Sequence, residues 1–551
     1  MMDDEEQIKD GSTSSSGSSG SEHQVVKPSS VQQMQQTIIK RKKNDLSNES
    51  FCDRFIIQNR GIFVTIFILP ASFFLRLFHY IYDWYVYLFV NLSSRHDERV
   101  SHISAQVRDA ASQKKKMCTS RPGWHSMSLR EGLYKKDSKV AKIEIPLRDV
   151  LELDEANLTV RVEPLVTMGQ LSRYLRSKGY CLQVTPELDD LTAGGLVNGF
   201  GVETSSHKYG LIQHTCTRFE VVVANGDVVT CTETDRPELF SAIPWSHGTL
   251  GFLVSVDFKI IPCKSYVKMT YIPCHTQEEC VDVFERESRD LTNDFVEAIV
   301  YTKEEGVVMK ATLVDEVNKS QVNPIGYFWK PWFYKYVQTF LSSGETATEY
   351  IPLTHYFHRH TRPLFWEMEE IIPSGNALWF RCLLGWLGPP HVKLLKKTQT
   401  ETIRRLYEQH HVIQDMLIPM GALADAINTF HDEIEVYPLW LCPMALLPSG
   451  DSGFMKPVVQ DGQVVERMFV DVGAYGVPMV SNFEARGTLR RLESFVRRVK
   501  GYQALYADCF MSRDEFREMF DHTAYDTLRT SYGAVDAFPE IYDKISRAAR
   551  R

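Results

Sequence analysis

The feature that most constrains this chain is a glycine-rich stretch from Pro186 to Gly210, with the sequence PELDDLTAGGLVNGFGVETSSHKYG. Five of its 25 residues are glycine. Because glycine lacks a Cβ, this backbone is expected to turn at positive φ and to approach a ligand closely. Successive backbone N–H groups in such a loop form a concavity that binds anions. The stretch therefore predicts a cradle for a diphosphate, and the alternative is a glycine-rich loop without a ligand.

The hydroxyls of the stretch and the charge of Lys208 are expected to assist its glycines. The candidate ligand contacts are Thr192, Ala193, Gly194, Gly195, Leu196, Val197, Asn198, Gly199, Phe200, Gly201, Val202, Glu203, Thr204, Ser205, Ser206, His207, Tyr209 and Gly210. No G-x-x-x-x-G-K-[ST] motif occurs, and Gly199-Phe200-Gly201 does not continue as G-x-G-x-x-G. A P-loop NTPase and a Rossmann dinucleotide site are therefore not supported.

Composition narrows the class of protein. A length of 551 residues predicts several domains, and 43% hydrophobic and 24% charged residues are typical of a globular chain. The net charge of −8 provides no overall basic field, so nucleic acid is not an expected partner. The 11 cysteines are scattered without a C-x-x-C pair, which indicates neither a zinc site nor a redox dithiol. Free cysteines suit a reducing compartment, the cytosol.

An apolar segment follows a polar, serine-rich N-terminal tail that we expect to be disordered over residues 1–55. The anchor is placed at residues 56–92. A helix from Gly61 to Tyr82 would be about 33 Å long, which is enough to cross a membrane. Tyrosines and Trp84 at its end resemble an interfacial aromatic belt. A helix in the plane of the interface and a buried core helix remain alternatives, and the flanking basic residues do not decide the orientation.

Short strands and helices without a regular βαβ period predict an α+β fold. Alternating residues predict strands at Val140–Leu147 and Leu158–Val162, and a helix after Pro164 should end at Gly179. Asn225-Gly226 predicts a hairpin turn. The segment from Gly248 to Gly251 precedes an alternating strand, Phe252–Pro262.

The glycine stretch, TAGGLVNGFG followed by SSHKYG, resembles the flavin loop of FAD-linked oxidoreductases of the vanillyl-alcohol-oxidase type, whose FAD domain is called PCMH-type. The whole stretch is most similar to one group of them, the sterol Δ24-reductases of the Diminuto/Dwarf group. The resemblance covers roughly residue 60 to the C-terminus. The other segments that resemble this group are RPGW at Arg121–Trp124, VRVEPLVTMGQL at Val160–Leu171, PWSHGTLGFLV at Pro244–Val254, LYEQHHVIQDMLIP at Leu406–Pro419 and LYADCFM at Leu505–Met511.

The resemblance implies a PCMH-type FAD-binding domain of two α+β subdomains at 93–265 and an α+β substrate or cap domain at 266–551. It adds Arg121, Gly123, Trp124, Gly248 and Gly251 to the expected FAD contacts. Non-covalent FAD is expected, although the segment from Arg121 to Ser126 is similar to an R-x-G-G-H-S turn in which some relatives link the flavin to a histidine, here His125.

The implied activity is NADPH-driven reduction of the 24(25) double bond of sterol side chains, in sterol biosynthesis or modification. The resemblance implies that the protein is located in the endoplasmic reticulum membrane, with its catalytic domain in the cytosol. The Golgi membrane is a second implied location. No separate nicotinamide-binding motif is visible, so NADPH either visits the flavin transiently or is replaced by a partner reductase. The rivals are an aldonolactone or alcohol oxidase on the same fold, and a non-catalytic flavin- or sterol-binding scaffold. Oligomeric state is not predicted.

An isolated alkene has no carbonyl to polarise it, so its reduction needs an acid and surroundings that tolerate transient positive charge. The sequence does not identify the acid. The candidates are Glu187, Asp189, Asp190, His207, Tyr209, Glu408, His410, Asp471, Tyr475, Glu484, Tyr506 and Asp508.

The second half also has aromatic segments, Tyr327–Tyr336, Tyr350–Trp366 and Trp379–Trp386. They are interpreted either as a sterol slot touching the membrane or as ordinary core. His355, His358 and His360 lack partners at ligand spacing, so no metal is predicted.

Overall fold

A computed structural model of the chain describes residues 51–89, 95–125, 130–448, 453–481 and 483–550. Residues 1–50 of the predicted tail lie outside these ranges, whereas residues 51–55 already belong to a helix, Phe51–Gln58. Helices and antiparallel sheets alternate irregularly along the chain, which confirms the α+β prediction.

A six-stranded sheet occupies the first half, in the order β3-β4-β8-β6-β7 with β5 also on β8. Its long central strand is β8, which pairs antiparallel with β4, β5 and β6. The Asn225-Gly226 hairpin is confirmed between β6 and β7. The expected strand at Val140–Leu147 is shorter than predicted and pairs with β1 in a separate ribbon. The strands are β1 Met117–Thr119, β2 Ala141–Ile143, β3 Val150–Asp154, β4 Thr159–Val162, β5 Tyr180–Leu182, β6 Cys216–Val222, β7 Val228–Thr232 and β8 Phe252–Pro262.

An eight-stranded antiparallel sheet follows, in the order β12-β9-β11-β10-β14-β17-β13-β18. Every residue of β17 is buried, so both faces of the sheet are covered there. The strands are β9 Tyr266–Cys274, β10 Phe295–Val300, β11 Gly306–Val314, β12 Ala347–Pro352, β13 Val412–Pro419, β14 Leu439–Ala445, β17 Met468–Gly476 and β18 Tyr502–Gln503, with a β15 Val458–Gln460 and β16 Gln463–Glu466 hairpin outside the sheet.

The helices connect and cover these sheets, and the last ones return to the first sheet, where the Phe252 and Phe538 rings lie 5.3 Å apart. After the N-terminal segment the α-helices are His96–Ser112, Met168–Ser177, Ala193–Asn198, Ser206–Tyr209, Pro237–Ala242, Gln277–Arg289, Phe333–Ser343, Leu353–Phe357, Glu367–Ile371, Leu378–Leu384, Val392–Lys397, Glu401–His410, Leu423–Glu433, Ala485–Arg498, Arg513–Met519, Thr523–Ser531, Ala534–Ala537 and Tyr542–Ile545. Short 3₁₀ turns lie at Gly123–His125, Leu133–Lys135, Ile212–Thr215, Lys319–Gln321, Gly385–Leu387, Met420–Ala422 and Arg547–Ala549.

The glycine stretch folds differently from the expectation. Gly194 and Gly195 lie inside the helix Ala193–Asn198, and Gly199 has a φ of −115°. Of the five glycines, Gly210 alone has a positive φ, 72°. Several of the other positions need glycine because of close packing. A Cβ on Gly201, for example, would lie 2.6 Å from the Ile212 side chain. The predicted helix before Gly179 is confirmed as Met168–Ser177, and Gly179 has a φ of 85°.

The N-terminal helical segment comprises Phe51–Gln58, Arg60–Phe63, a π-helical turn at Val64–Ile68 and Leu69–Phe89. Within it, Arg60–Tyr82 is long and apolar enough to cross a membrane. One face packs on the body of the protein: the Ser72 hydroxyl accepts a 2.8 Å bond from the His391 N–H, and Arg76 donates to the Leu387 carbonyl at 2.6 Å.

The opposite face of this helix is apolar and exposed. Its residues are Ile62, Phe63, Ile66, Phe67, Phe74, Leu77, Phe78, Tyr80, Ile81, Tyr82, Trp84 and Tyr85. On the body, Leu378, Trp379, Leu383 and Trp386 are also exposed, and the Trp386 ring lies 5.3 Å from that of Phe73. We call these two sets together the apolar face. Most of the other aromatic segments are core, with Trp332, Phe333 and Tyr334 buried, while Tyr327 and Trp329 are exposed.

Candidate active site

Two large adjoining cavities lie beside the glycine stretch, a main cavity of about 500 Å³ and a side cavity of about 530 Å³. The stretch lines the main cavity along much of its length. Its contributing residues are Pro186, Glu187, Leu188, Asp190, Leu191, Thr192, Gly195, Leu196, Asn198, Gly199, Phe200, Gly201 and Val202. Arg121 and Gly123 line it too, which brings the predicted Arg-Pro-Gly turn to the same place.

Cations line the main cavity with the glycines. Burial, assisted by neighbouring positive charge, lowers the pKa of Lys544 to about 7 and that of Lys135 to about 8. Burial likewise lowers the pKa of Lys396 to about 8 and lowers that of Arg550. Among the residues that the structure describes, Lys135 donates to uncharged oxygens, including the Arg121 carbonyl at 2.6 Å. Cations held this way would be relieved by an anion among them, which fits a diphosphate.

The glycines also fit a diphosphate, because a side chain at their positions would come too close to neighbouring atoms of the cavity wall. A Cβ on Gly195 would lie 2.9 Å from the Thr192 hydroxyl, and one on Gly199 would lie 2.8 Å from the Gly195 carbonyl. A Cβ on Gly123 would lie 2.9 Å from the Glu131 side chain. The bare backbone therefore leaves room for a group to approach closely.

Other candidates from the stretch are used inside the protein. The cavity lining includes Thr192 but not the other predicted hydroxyls or Lys208. Thr204 bonds Tyr356 at 2.7 Å, Ser205 donates to the Gln183 carbonyl at 2.8 Å, Ser206 accepts from the Glu203 N–H at 3.0 Å, and Lys208 pairs with Asp294 at 3.1 Å. Also outside the lining are Ala193, Gly194, Val197, Glu203, His207, Tyr209, Gly210, Gly248 and Gly251.

An acidic and aromatic group lines another part of the main cavity. Asp415 on β13 accepts hydrogen bonds from the Tyr475 hydroxyl at Oδ1 and from the Tyr506 hydroxyl at Oδ2. All three residues line the cavity. Burial raises the pKa of Asp415 to about 6, although both tyrosine bonds oppose this shift. A carboxyl group in this range can hold or release a proton near neutral pH.

A glycine makes room for this group. Asp415 faces Gly473 in the β13–β17 register, and a Cβ on Gly473 would lie 2.5 Å from the Tyr475 hydroxyl and 2.9 Å from Asp415 Oδ1. Asp471, two residues earlier on β17, is fully buried and has no hydrogen-bond partner among the described residues. Burial and the nearby Asp415 raise its pKa well above the usual range.

A buried network of ion pairs holds Trp440, an aromatic residue that lines the main cavity. The Arg359 guanidinium donates to Glu297 at 2.7 Å and to Glu203 at 2.8 Å. Glu297 also accepts a 2.9 Å bond from the indole of Trp440, which lines the main cavity. Burial, and next the charge of Glu203, raise the pKa of Glu187, which also lines the main cavity, well above its usual value.

Of the predicted acid candidates, the structure brings Glu187, Asp190, Tyr475 and Tyr506 to the main cavity. The others lie outside its lining, and most are engaged elsewhere. Both ring nitrogens of His207 meet backbone carbonyls, Asp189 pairs with His358, Glu408 and Asp508 pair with Arg130, Glu484 caps the helix Ala485–Arg498, and Tyr209 and His410 lie outside the cavity lining.

Sequence reasoning missed Asp415 and the cations Lys135, Lys396, Lys544 and Arg550. Asp415 carried a usable signal, because it is a lone carboxylate within the apolar strand Val412–Pro419. The cations carried none, since they come from three distant segments that only the fold brings together.

Comparison with known proteins agrees with this site. Residues 98–232 match the family model described as an FAD binding domain. The chain is 50% identical to the Delta(24)-sterol reductases of Mus musculus and Homo sapiens over 90% of its length and 95% of theirs. It is 38% identical to that of Arabidopsis thaliana over 90% of its length and 93% of that protein. The chain therefore belongs to the Delta(24)-sterol reductase family, with an FAD binding domain in its first half.

Proposed function

We propose that this protein is an FAD-dependent reductase that uses NADPH to reduce the 24(25) double bond of sterol side chains. The observation that carries the proposal is the main cavity, where a glycine-lined, cationic wall and a buried carboxyl–tyrosine group meet. Bound FAD supplies the hydride chemistry. The backbone at Gly123, Gly195 and Gly199 and the cations Lys135 and Lys544 would hold its diphosphate.

The FAD is expected to be non-covalent. The His125 side chain lines the side cavity and is absent from the lining of the main one. After acid precipitation of the purified protein, the yellow colour should stay in the supernatant. Colour in the pellet would indicate a covalent bond and make His125 its first candidate.

The proton for carbon 24 is assigned to Asp415 acting through Tyr475 or Tyr506. When Asp415 is protonated, it can donate to a tyrosine oxygen while that tyrosine's own hydrogen passes to the alkene. Protonation at carbon 24 leaves the positive charge on tertiary carbon 25, which then receives the hydride. The Phe365 ring lies 5.0 Å from Tyr475 and 5.1 Å from Trp440, and aromatic faces stabilise nearby cations.

The apolar face is proposed to rest in the membrane, with the helix in the plane of the interface. A spanning helix needs about 30 Å of hydrocarbon around it. Here the stretch from Gly61 to Arg76 contacts the body at several turns, and a Cβ on Gly61 would lie 2.9 Å from the Ile371 carbonyl. Arg60, at the start of this stretch, lines the main cavity and suggests the route by which a sterol leaves the bilayer. The endoplasmic reticulum, with the body in the cytosol, is the proposed location, and the Golgi membrane is the second.

Turnover of purified protein tests the proposal. With NADPH and a 24(25)-unsaturated sterol, in the absence of oxygen, the protein should form a product heavier by two hydrogens. An aldonolactone or alcohol oxidase would instead consume oxygen with a small polar substrate. A scaffold would bind flavin or sterol and yield neither product.

A further inference from the structure

The side cavity is rich in fixed positive charge. It is bounded by the helix Leu69–Phe89, the helix Met168–Ser177 and the segment Pro389–Lys393. The cations among its described lining are Arg76, Arg121, Arg148, Arg173 and Lys393, and the carboxylates are Asp189 and Asp190. Arg148 and Arg173 are exposed, so the cavity reaches solvent.

The two carboxylates already have partners that share their charge. Asp189 lies 2.9 Å from the His358 ring, and Asp190 lies 3.2 Å from that of His391 and 3.8 Å from the Lys393 ammonium. Arg76 donates its hydrogen bonds to backbone carbonyls, and the charges of Asp190 and Asp189 act on it from nearby.

A neighbouring histidine lies close to these cations. His125 lines the cavity, and burial together with the charges of Lys393 and Arg121 lowers its pKa to about 4. Arg121 itself donates to uncharged groups, the Thr192 hydroxyl at 3.4 Å and the His125 carbonyl at 2.8 Å. The side cavity therefore has a positive potential that suits a multiply charged anion.

The side cavity also connects to the main one. Both cavities are lined by Arg121, Leu188, Asp190, Thr192, Leu364 and Val392. A ligand with its anionic part in the side cavity can thus extend an uncharged part toward the flavin site. The main cavity has its own cations, Lys135, Lys396, Lys544 and Arg550, for the diphosphate of FAD.

We propose that the side cavity binds the phosphate groups of NADPH, with Arg148 and Arg173 at its mouth and the nicotinamide end passing beside Arg121 and Thr192 into the main cavity. This inference rests on the proposed reductase function. It assigns a place to a donor for which the sequence has no recognised motif.

The test uses the full-length protein and exposed residues, so that folding is preserved. In Arg148→Gln/Arg173→Gln the KM for NADPH should rise about a hundredfold, because two charged hydrogen bonds are lost and each is typically worth about tenfold. Arg176→Gln is the matched control. Arg176 lies on the same helix as Arg173, is also exposed and is absent from the lining of either cavity, so this variant should keep the wild-type KM for NADPH.

Reaction of the dithionite-reduced variant with sterol separates this inference from the proposed function. That rate should match the wild type, since NADPH takes no part in it. Loss of preference for NADPH over NADH would place the arginines at the 2′-phosphate, and an equal loss for both would place them at the diphosphate. An unchanged KM for NADPH would overturn the inference even if sterol reduction is intact. If binding to phosphatidylserine vesicles falls while that KM is unchanged, the cations serve the membrane surface and the inference is also wrong.

Discussion

Replacing Asp415 with asparagine should abolish most of the proton delivery that we assign to the main cavity. The amide has nearly the same shape but cannot release a proton at neutral pH. A positioned general acid typically contributes about 10²- to 10⁴-fold, so the reaction of reduced enzyme with sterol should slow by that factor. The rate at which NADPH reduces the flavin should change little, because that step needs no acid at Asp415.

The pKa of Asp415 sets the expected pH dependence. With a pKa of about 6, raised by burial, Asp415 is protonated in about a tenth of molecules at pH 7 and in about nine tenths at pH 5. The sterol step should therefore accelerate about tenfold between pH 7 and pH 5, whereas the asparagine variant should lack this rise. Stopped-flow mixing of reduced enzyme with sterol measures both effects.

Asp471→Asn is the matched control for this experiment. Asp471 is equally buried on the neighbouring strand, has a pKa raised well above its usual range and does not line the main cavity. Its variant should keep the rate and the pH profile of the wild type. If Asp415→Asn keeps a rate within threefold of the wild type, or retains the rise at low pH, the assignment of the acid is wrong. Glu187→Gln, at the other buried carboxyl of the cavity whose pKa is raised, then becomes the variant to measure.

Four further outcomes are expected. Gly195→Trp should purify without yellow colour, because an indole would occupy the wall against which the FAD diphosphate must lie, and stoichiometric FAD in this variant would contradict the placement of the cradle. Arg359→Met should lower the free energy of unfolding by about 3–5 kcal/mol, since it leaves two carboxylates buried without their cation, and a midpoint of denaturation like that of the wild type would contradict the network. Leu378→Glu/Leu383→Glu should weaken binding to lipid vesicles while keeping FAD, and full-length protein should leave membranes in alkaline carbonate; retention there would support a spanning helix.

Local patterns were sufficient for much of the fold. The hairpin at Asn225-Gly226, the helix that ends before Gly179 and the strand Phe252–Pro262 each depend on residues close in sequence. The glycine stretch lines a cavity, and its role as a diphosphate cradle stays a prediction, but the predicted positive φ angles were wrong for all of its glycines except Gly210. Several of its glycines satisfy close packing, as Gly194 does against Pro164, and packing partners distant in sequence leave no local pattern.

The chemistry of the site could be predicted only in part, because it depends on contacts between distant segments. Tyr475 and Tyr506 were among the candidates, but Asp415, which joins them, lies 60 and 91 residues away from them in sequence. Likewise, the apolar helix was evident from composition, whereas its contacts with the body through Ser72 and Arg76 were not.

The most direct test of the central claim is the reaction of reduced enzyme with a 24(25)-unsaturated sterol in the absence of oxygen. The account predicts that the flavin absorbance returns as one equivalent of saturated sterol forms, and that in heavy water the solvent deuterium is found at carbon 24. An enzyme that stays reduced with this sterol, but is reoxidised when oxygen is admitted, would contradict the claim and favour an oxidase on the same fold.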